Sequence, residues 1–177
     1  WLPSPVDLKE IDGTSSELAS TNNKVKQENK IIKVAHYPYY KNYSAFDYYS
    51  DALSRLQNEK KCEIVNILHQ PHSQALRIMA SSDVIIGKIL PDVGWFGKFE
   101  LEGMALGKSV ITYVSEELYE KYKPPVYRTT KDTFKKDLET FIQDRSERER
   151  LSIEGPKYVR NTHSLESVVK TVMTCYH

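Results

Sequence analysis

From residue 31 onward, short apolar runs alternate with stretches whose apolar residues recur every three or four positions. The run Ile31–Ala35 has the length and composition of a buried strand, and Pro38 stops it. Phe46, Tyr49, Leu53 and Leu56 then recur at helical spacing, behind a capping signal at Ser44 and Asp47. "CEIVNIL" (62–68) reads as a second strand, "HSQALRIMAS" (72–81) as a short helix and "DVIIGKI" (83–89) as a third strand. A helix over 97–106, a strand at "SVITYV" (109–114), a helix near 115–122 and a short strand at "PVYRT" (125–129) continue the alternation.

The remainder reads as helical. Phe134, Leu138, Phe141 and Ile142 share one helix face, as do Leu165, Val168, Val169, Val172 and Met173 behind an N-cap at Ser164. The alternating charges of "DRSERERL" (144–151) predict a solvated helix face. Residues 13–30, "GTSSELASTNNKVKQENK", are polar and without period, and they read as a loop or linker. Strands alternating with helices imply an α/β, Rossmann-like three-layer domain. Its sheet is mostly parallel, with about five strands, and its C-terminus is helical. Ligands bind such sheets beyond the carboxyl ends of the strands, which selects the loops 36–44, 68–72 and 88–98.

Composition narrows the classes. The 177 residues suit one domain, and 40% hydrophobic with 28% charged residues is globular rather than disordered. A net charge of +1 gives no general electrostatic attraction for nucleic acid or an anionic membrane. Cys62 and Cys175 lack metal or redox spacing, which favours a reducing cytoplasm over a disulfide framework. No apolar run is long enough to span a membrane, and "WLPSPVDLKEI" has no signal-peptide pattern. The chain begins at Trp1 rather than methionine, so the expectation is an excised fragment or a processed chain.

Candidate chemistry gathers in "GWFGKFELEGMALGKSVI" (94–111). Gly94 and Gly97 permit close backbone approach, and a helix starting near Gly97 aims free N–H groups out of the loop, as phosphate binding needs. Glycine before a helix is also ordinary turn chemistry. Glu102 lies beside Phe99, Ala105 and Leu106 on an apolar strip, where a carboxylate calls for a basic partner or a donor-rich ligand. The two hydroxyls of a ribose fit, and the plainer alternatives are an exposed glutamate or a structural ion pair. Glu100 is expected to face solvent. In the first loop, Lys41 could meet a diphosphate and His36 could act as cation or hydrogen-bond donor, while Tyr37, Tyr39, Tyr40 and Tyr43 offer stacking or burial. His69 and His72 have no local carboxylate or cysteine to complete a metal site, and "NYS" (42–44) matches a glycosylation triplet without secretory context.

"IIKVAHYPYYKNY", "SSDVIIGKI", "GWFGKFELEGMALGKSVITYV" and "LSIEGPKYVRNTHSLESVV" occur in the order seen in glycosyltransferases of the GT-B fold. The chain resembles the large retaining family of bacterial and archaeal mannosyl- and glucosyltransferases, from about residue 31 to the end. The leading "LPSPVDL" resembles the segment joining that fold's two halves. The resemblance implies a C-terminal, donor-nucleotide-binding half over 31–177, behind a linker at 1–30, with the N-terminal acceptor domain absent. In that family two glutamates bracket a Phe-Gly turn. The turn corresponds to Phe96-Gly97 and the second acid to Glu102, which is implied to bind the ribose. The first acid would fall at Gly94. Lys41 matches the basic residue on the donor diphosphate, His36 sits near a family arginine, and Asn42 replaces the glycine after that lysine.

The expected donor contacts are therefore His36, Lys41, Phe96, Gly97, Lys98 and Glu102. The implied parent moves a hexose from a nucleoside-diphosphate sugar, with UDP- or GDP-linked donors expected, to a glycan, lipid or other acceptor, with retention and without a metal or cofactor. It would work in the cytoplasm, with peripheral docking at the inner face of the membrane, as in polysaccharide biosynthesis. A nucleotide-sugar epimerase of related fold and a degenerate, non-catalytic binding or assembly module are the rival readings.

Overall fold

The computed structural model describes residues 3–21, 31–38 and 46–175. Its sheet has the strands β1 (Ile32–His36), β2 (Cys62–Asn66), β3 (Val84–Ile86), β4 (Ser109–Thr112) and β5 (Tyr127–Arg128). They lie in the order β2-β1-β3-β4-β5, and every neighbouring pair is parallel. In register, His36 stands between Asn66 and Ile86. The helices among the described residues are α1 (Leu8–Thr21), α2 (Phe46–Asn58), α3 (His72–Ala80), α4 (Lys98–Ala105), α5 (Glu116–Tyr122), α6 (Phe134–Gln143), α7 (Arg145–His163) and α8 (Leu165–Cys175).

Central strands buried on both faces need apolar residues at successive positions, and Val84, Ile85 and Ile86 are all buried. Alternate residues divide between two cores. Ala35, Ile85 and Val110 face Leu76 and Met79 of α3, Leu101 and Met104 of α4, and Ile11 of α1. Val34, Val84, Ile86 and Ile111 face Leu53 and Leu56 of α2 and Leu138 and Phe141 of α6. The architecture is thus a three-layer α/β sandwich, as the periodicity predicts.

Two segments depart from expectation. Part of the stretch read as polar linker is helical, because α1 continues to Thr21. Asp7 opens it by accepting from the N–H groups of Lys9 and Glu10, and Ile11 seats it against the core. The charged stretch 144–151 does form a solvated face, at the start of α7, with Arg150 bridging Glu147 and Glu154. That helix runs on through Pro156 to His163. Ser164 then caps α8 by accepting from the N–H of Ser167.

Candidate functional site

The strand order reverses between β1 and β3, and the helices change sides there. The connection from β1 uses α2 on one face, while α3 and α4 lie on the other. A crevice forms at the carboxyl ends of strands flanking such a reversal. Its walls here are His36 at the end of β1, the exit of β3 at Gly87-Lys88, and the start of α4.

His36 is 1% exposed and hydrogen-bonds the side chain of Asn66. Burial pushes its pKa down to about 4, so the ring is neutral at neutral pH. This corrects the expectation of a cation and leaves hydrogen bonding as what the ring can offer a ligand. Lys41, Asn42, Tyr39, Tyr40, Tyr43 and Ser44 lie outside the described residues.

The exit of β3 is locked to α4 by Glu100. Expected in solvent, this side chain is instead fully buried. Its Oε1 accepts from the N–H of Lys88 at 2.6 Å, and its Oε2 accepts from the N–H of Gly97 at 2.9 Å. The Lys88 carbonyl in turn accepts from the Thr112 hydroxyl and the Tyr113 N–H. Gly87 makes room for this arrangement, since a Cβ there would stand 2.4 Å from Glu100 Cγ and 2.8 Å from Thr112 Oγ1. The physical reason for the correction is that the loop folds back over the helix start and brings two amides to the carboxylate.

Glu100 also changes the anion-site expectation at α4. The Gly97 N–H is committed to it, which leaves the N–H groups of Lys98, Phe99 and Glu100 in the first turn for a ligand. Lys98 is exposed at that turn, whereas Phe96 is buried and stacks on Trp95 at 4.2 Å between centroids. Lys88 stands over the turn as well, its Nζ 2.7 Å from where a Cβ on Gly97 would be. Gly94, at the position of the resemblance's first acid, has φ 71°. That is left-handed backbone, so the turn itself selects glycine there and would strain a glutamate.

Glu102 is 8% exposed, and the carboxylate on its apolar strip does have a basic partner. Oε1 lies 2.9 Å from His72 Nε2 at the start of α3, and His72 Nδ1 lies 3.3 Å from Glu10 Oε2 on α1. The two acids meet opposite ring nitrogens, and among the described residues no three His, Cys, Asp or Glu side chains are arranged to hold a metal ion.

Gly97, Lys98 and Glu102 thus gather on the first turns of α4 at the same sheet end as His36. Lys88 and Glu10 were missed, Glu100 was expected in solvent, and His72 was weighed only for a metal site. The spacing of Gly97 and Glu100, N-cap to third helical residue, was the available signal for one of them. A cavity of about 900 Å³ opens beside Lys98, between residues 5–9 and Ser164–Glu166. Another, of about 530 Å³, lies at the opposite end of the sheet among Asp83, Lys108, Arg145 and Arg148, away from these loops.

No family profile and no curated protein matches the chain. Solved structures do. Sucrose-phosphate synthase from Thermosynechococcus elongatus is similar with a TM-score of 0.62 at 12% identity, over 99% of this chain and 51% of that one. A glycosyltransferase from Rickettsia africae ESF-5 is similar with a TM-score of 0.61 at 14% identity, over 98% of this chain and 55% of that one. At such identities the likeness is one of fold: the chain shares the fold of about half the length of each of these proteins. Among the described residues no helix is long and apolar enough to cross a membrane.

Proposed function

We propose that the chain is the donor-nucleotide-binding half of a retaining glycosyltransferase, with residues 31–177 as that domain and 1–30, including α1, as the segment joining it to an acceptor domain. The parent transfers a hexose from a nucleoside-diphosphate sugar to a glycan, lipid or other acceptor. Supporting this above all is the β3–α4 turn, where Phe96-Gly97 and Glu102 stand at the crevice of a sheet with a glycosyltransferase fold. In this reading Glu102 holds the ribose and so orients the donor. Lys41 and the amides of the first turn of α4 stabilise charge on the departing diphosphate, with Lys98 beside them. His36 contributes a hydrogen bond as a neutral ring. The reading calls for no metal, since lysine and amide donors meet the charge. The parent works in the cytoplasm, docking peripherally at the inner face of the membrane.

Calorimetric titration with UDP-, GDP- and ADP-linked glucose and mannose tests this. Saturable binding of one donor at or below millimolar concentration is expected, and no binding at millimolar donor rejects the donor site. With an acceptor domain present, nucleotide release that depends on acceptor supports transfer, whereas interconversion of free nucleotide sugars supports the epimerase.

One observation favours a second reading, the non-catalytic binding module. At the first-acid position the backbone of Gly94 is left-handed, and its carbonyl accepts from the Ser115 N–H. The turn is therefore built around glycine rather than around an acid. Donor binding without acceptor-dependent nucleotide release in the longer protein identifies this case.

A further inference from the structure

Glu102 is held by a residue far from it in sequence. His72 Nε2 contacts Oε1 at 2.9 Å, and the Glu102 side chain is 11% exposed against 55% for His72. Oε2 makes no hydrogen bond among the described residues. The terminal torsion of a glutamate is soft, so a single contact on Oε1 decides the plane in which Oε2 is presented. Nothing in α3 explains a histidine at its first position. Its contacts with Glu102 and Glu10 on opposite ring nitrogens do. A neutral ring donates to one of these carboxylates, and a protonated ring donates to both.

We infer that His72 is a positioning residue for the ribose contact: it fixes the carboxylate plane of Glu102 toward the sugar hydroxyls of a nucleoside diphosphate, and Glu10 on α1 fixes the ring. This rests on the donor-site reading above and adds to it two residues outside the β3–α4 turn. It also gives α1 a function, since the segment expected as linker supplies the outer support of the site. The chain Glu10–His72–Glu102 ties α1, α3 and α4 together at the open end of the sheet.

The test uses the 177-residue chain and calorimetry with three probes: the best binder among UDP, GDP and ADP, its 2′-deoxy form, and inorganic pyrophosphate. A charge-assisted hydrogen bond to the 2′-hydroxyl makes the ribose form about tenfold tighter than the deoxy form in the wild type. His72→Ala is expected to shrink that preference to about twofold while leaving pyrophosphate affinity unchanged. His72→Gln, which keeps an N–H donor, retains more of the preference than His72→Ala, and Glu10→Gln falls between wild type and His72→Ala. His72 is half exposed, so thermal melting of each variant stays near wild type and confirms folding.

An undiminished ribose preference in His72→Ala overturns the inference. So does an equal loss for pyrophosphate, which marks a merely structural role. Wild-type protein that binds diphosphate without preferring ribose overturns the inference and spares the diphosphate site. Wild-type protein that binds none of the probes overturns both.

Discussion

Two carboxylates stand two residues apart on α4, one facing the exit of β3 and the other facing α3 and α1. Glu100 is completely buried, and both of its oxygens accept from backbone amides, of Lys88 and Gly97. Glu102 is nearly as buried, but its partner is the side chain of a half-exposed histidine. Backbone donors cannot leave without unfolding the loop, whereas a surface side chain can exchange its contact for a ligand's at little cost. The same contrast separates the two histidines near the crevice. His36 is sealed and neutral, and His72 is open and lies between two acids. Burial alone therefore does not tell the two acids apart; the kind of partner does.

The largest expected effect comes from breaking the fixed member. Glu100→Ala leaves two part-buried amides without acceptors and is expected to destabilise the chain by about 3 kcal/mol or more, read by urea denaturation. A loss below about 1 kcal/mol would mean that the loop re-pairs elsewhere and the contrast is unsound.

The second effect, of about 3 kcal/mol, belongs to His36. Its folded pKa, about 4, is below the ordinary 6.5, so as pH falls the unfolded chain takes up the proton first. Its contribution is complete above pH 6.5 and is lost progressively toward pH 4. His163, also lowered by burial, acts in the same direction. Urea midpoints measured from pH 7.5 to 4.5 should fall, and more steeply in wild type than in His36→Leu. Equal slopes would show that His36 is not the sealed group described.

A smaller effect sharpens the Glu100 side of the comparison. Gly87→Ala places a methyl against Glu100 Cγ and Thr112 Oγ1 and is expected to cost about 2 kcal/mol. In the Glu100→Ala background the same change should cost much less, because its main obstacle is gone. Full additivity in this double-mutant cycle would deny that Gly87 exists to seat Glu100.

The alternation of strands and helices after residue 31 was legible because a two-sided parallel sheet and its amphipathic helices write their periods locally. The α1 helix was not. Its sequence carries Gly13 and a Ser/Thr-rich stretch, and tertiary contacts sustain it, among them Ile11 in the core and pairs from Asp12 to Arg160 and Glu17 to Arg77. Within the site, helical spacing located Glu102 on an apolar strip, and it is buried there. The same spacing misplaced Glu100, whose burial comes from a loop returning over the helix start. His72 was weighed only as a metal ligand, because its acids stand on other helices, one of them 30 residues away. Side-chain pairs between elements depend on topology, which periodicity does not carry.

The smallest stability effect is the most informative about function. Glu102→Ala removes a carboxylate whose described partner is an exposed ring, so the expected loss of stability is below about 1 kcal/mol. The freed His72 can turn to water, which Lys88 and Gly97 amides cannot do when Glu100 is removed. Affinity for a nucleoside diphosphate should fall about tenfold in the same variant, because the ribose loses a charged acceptor. Urea denaturation and calorimetry on one sample separate the outcomes. A large stability loss with unchanged affinity would make Glu102 a second structural acid like Glu100 and erase the contrast. A small stability loss with weakened binding would establish that α4 carries one acid for the fold and one for the ligand.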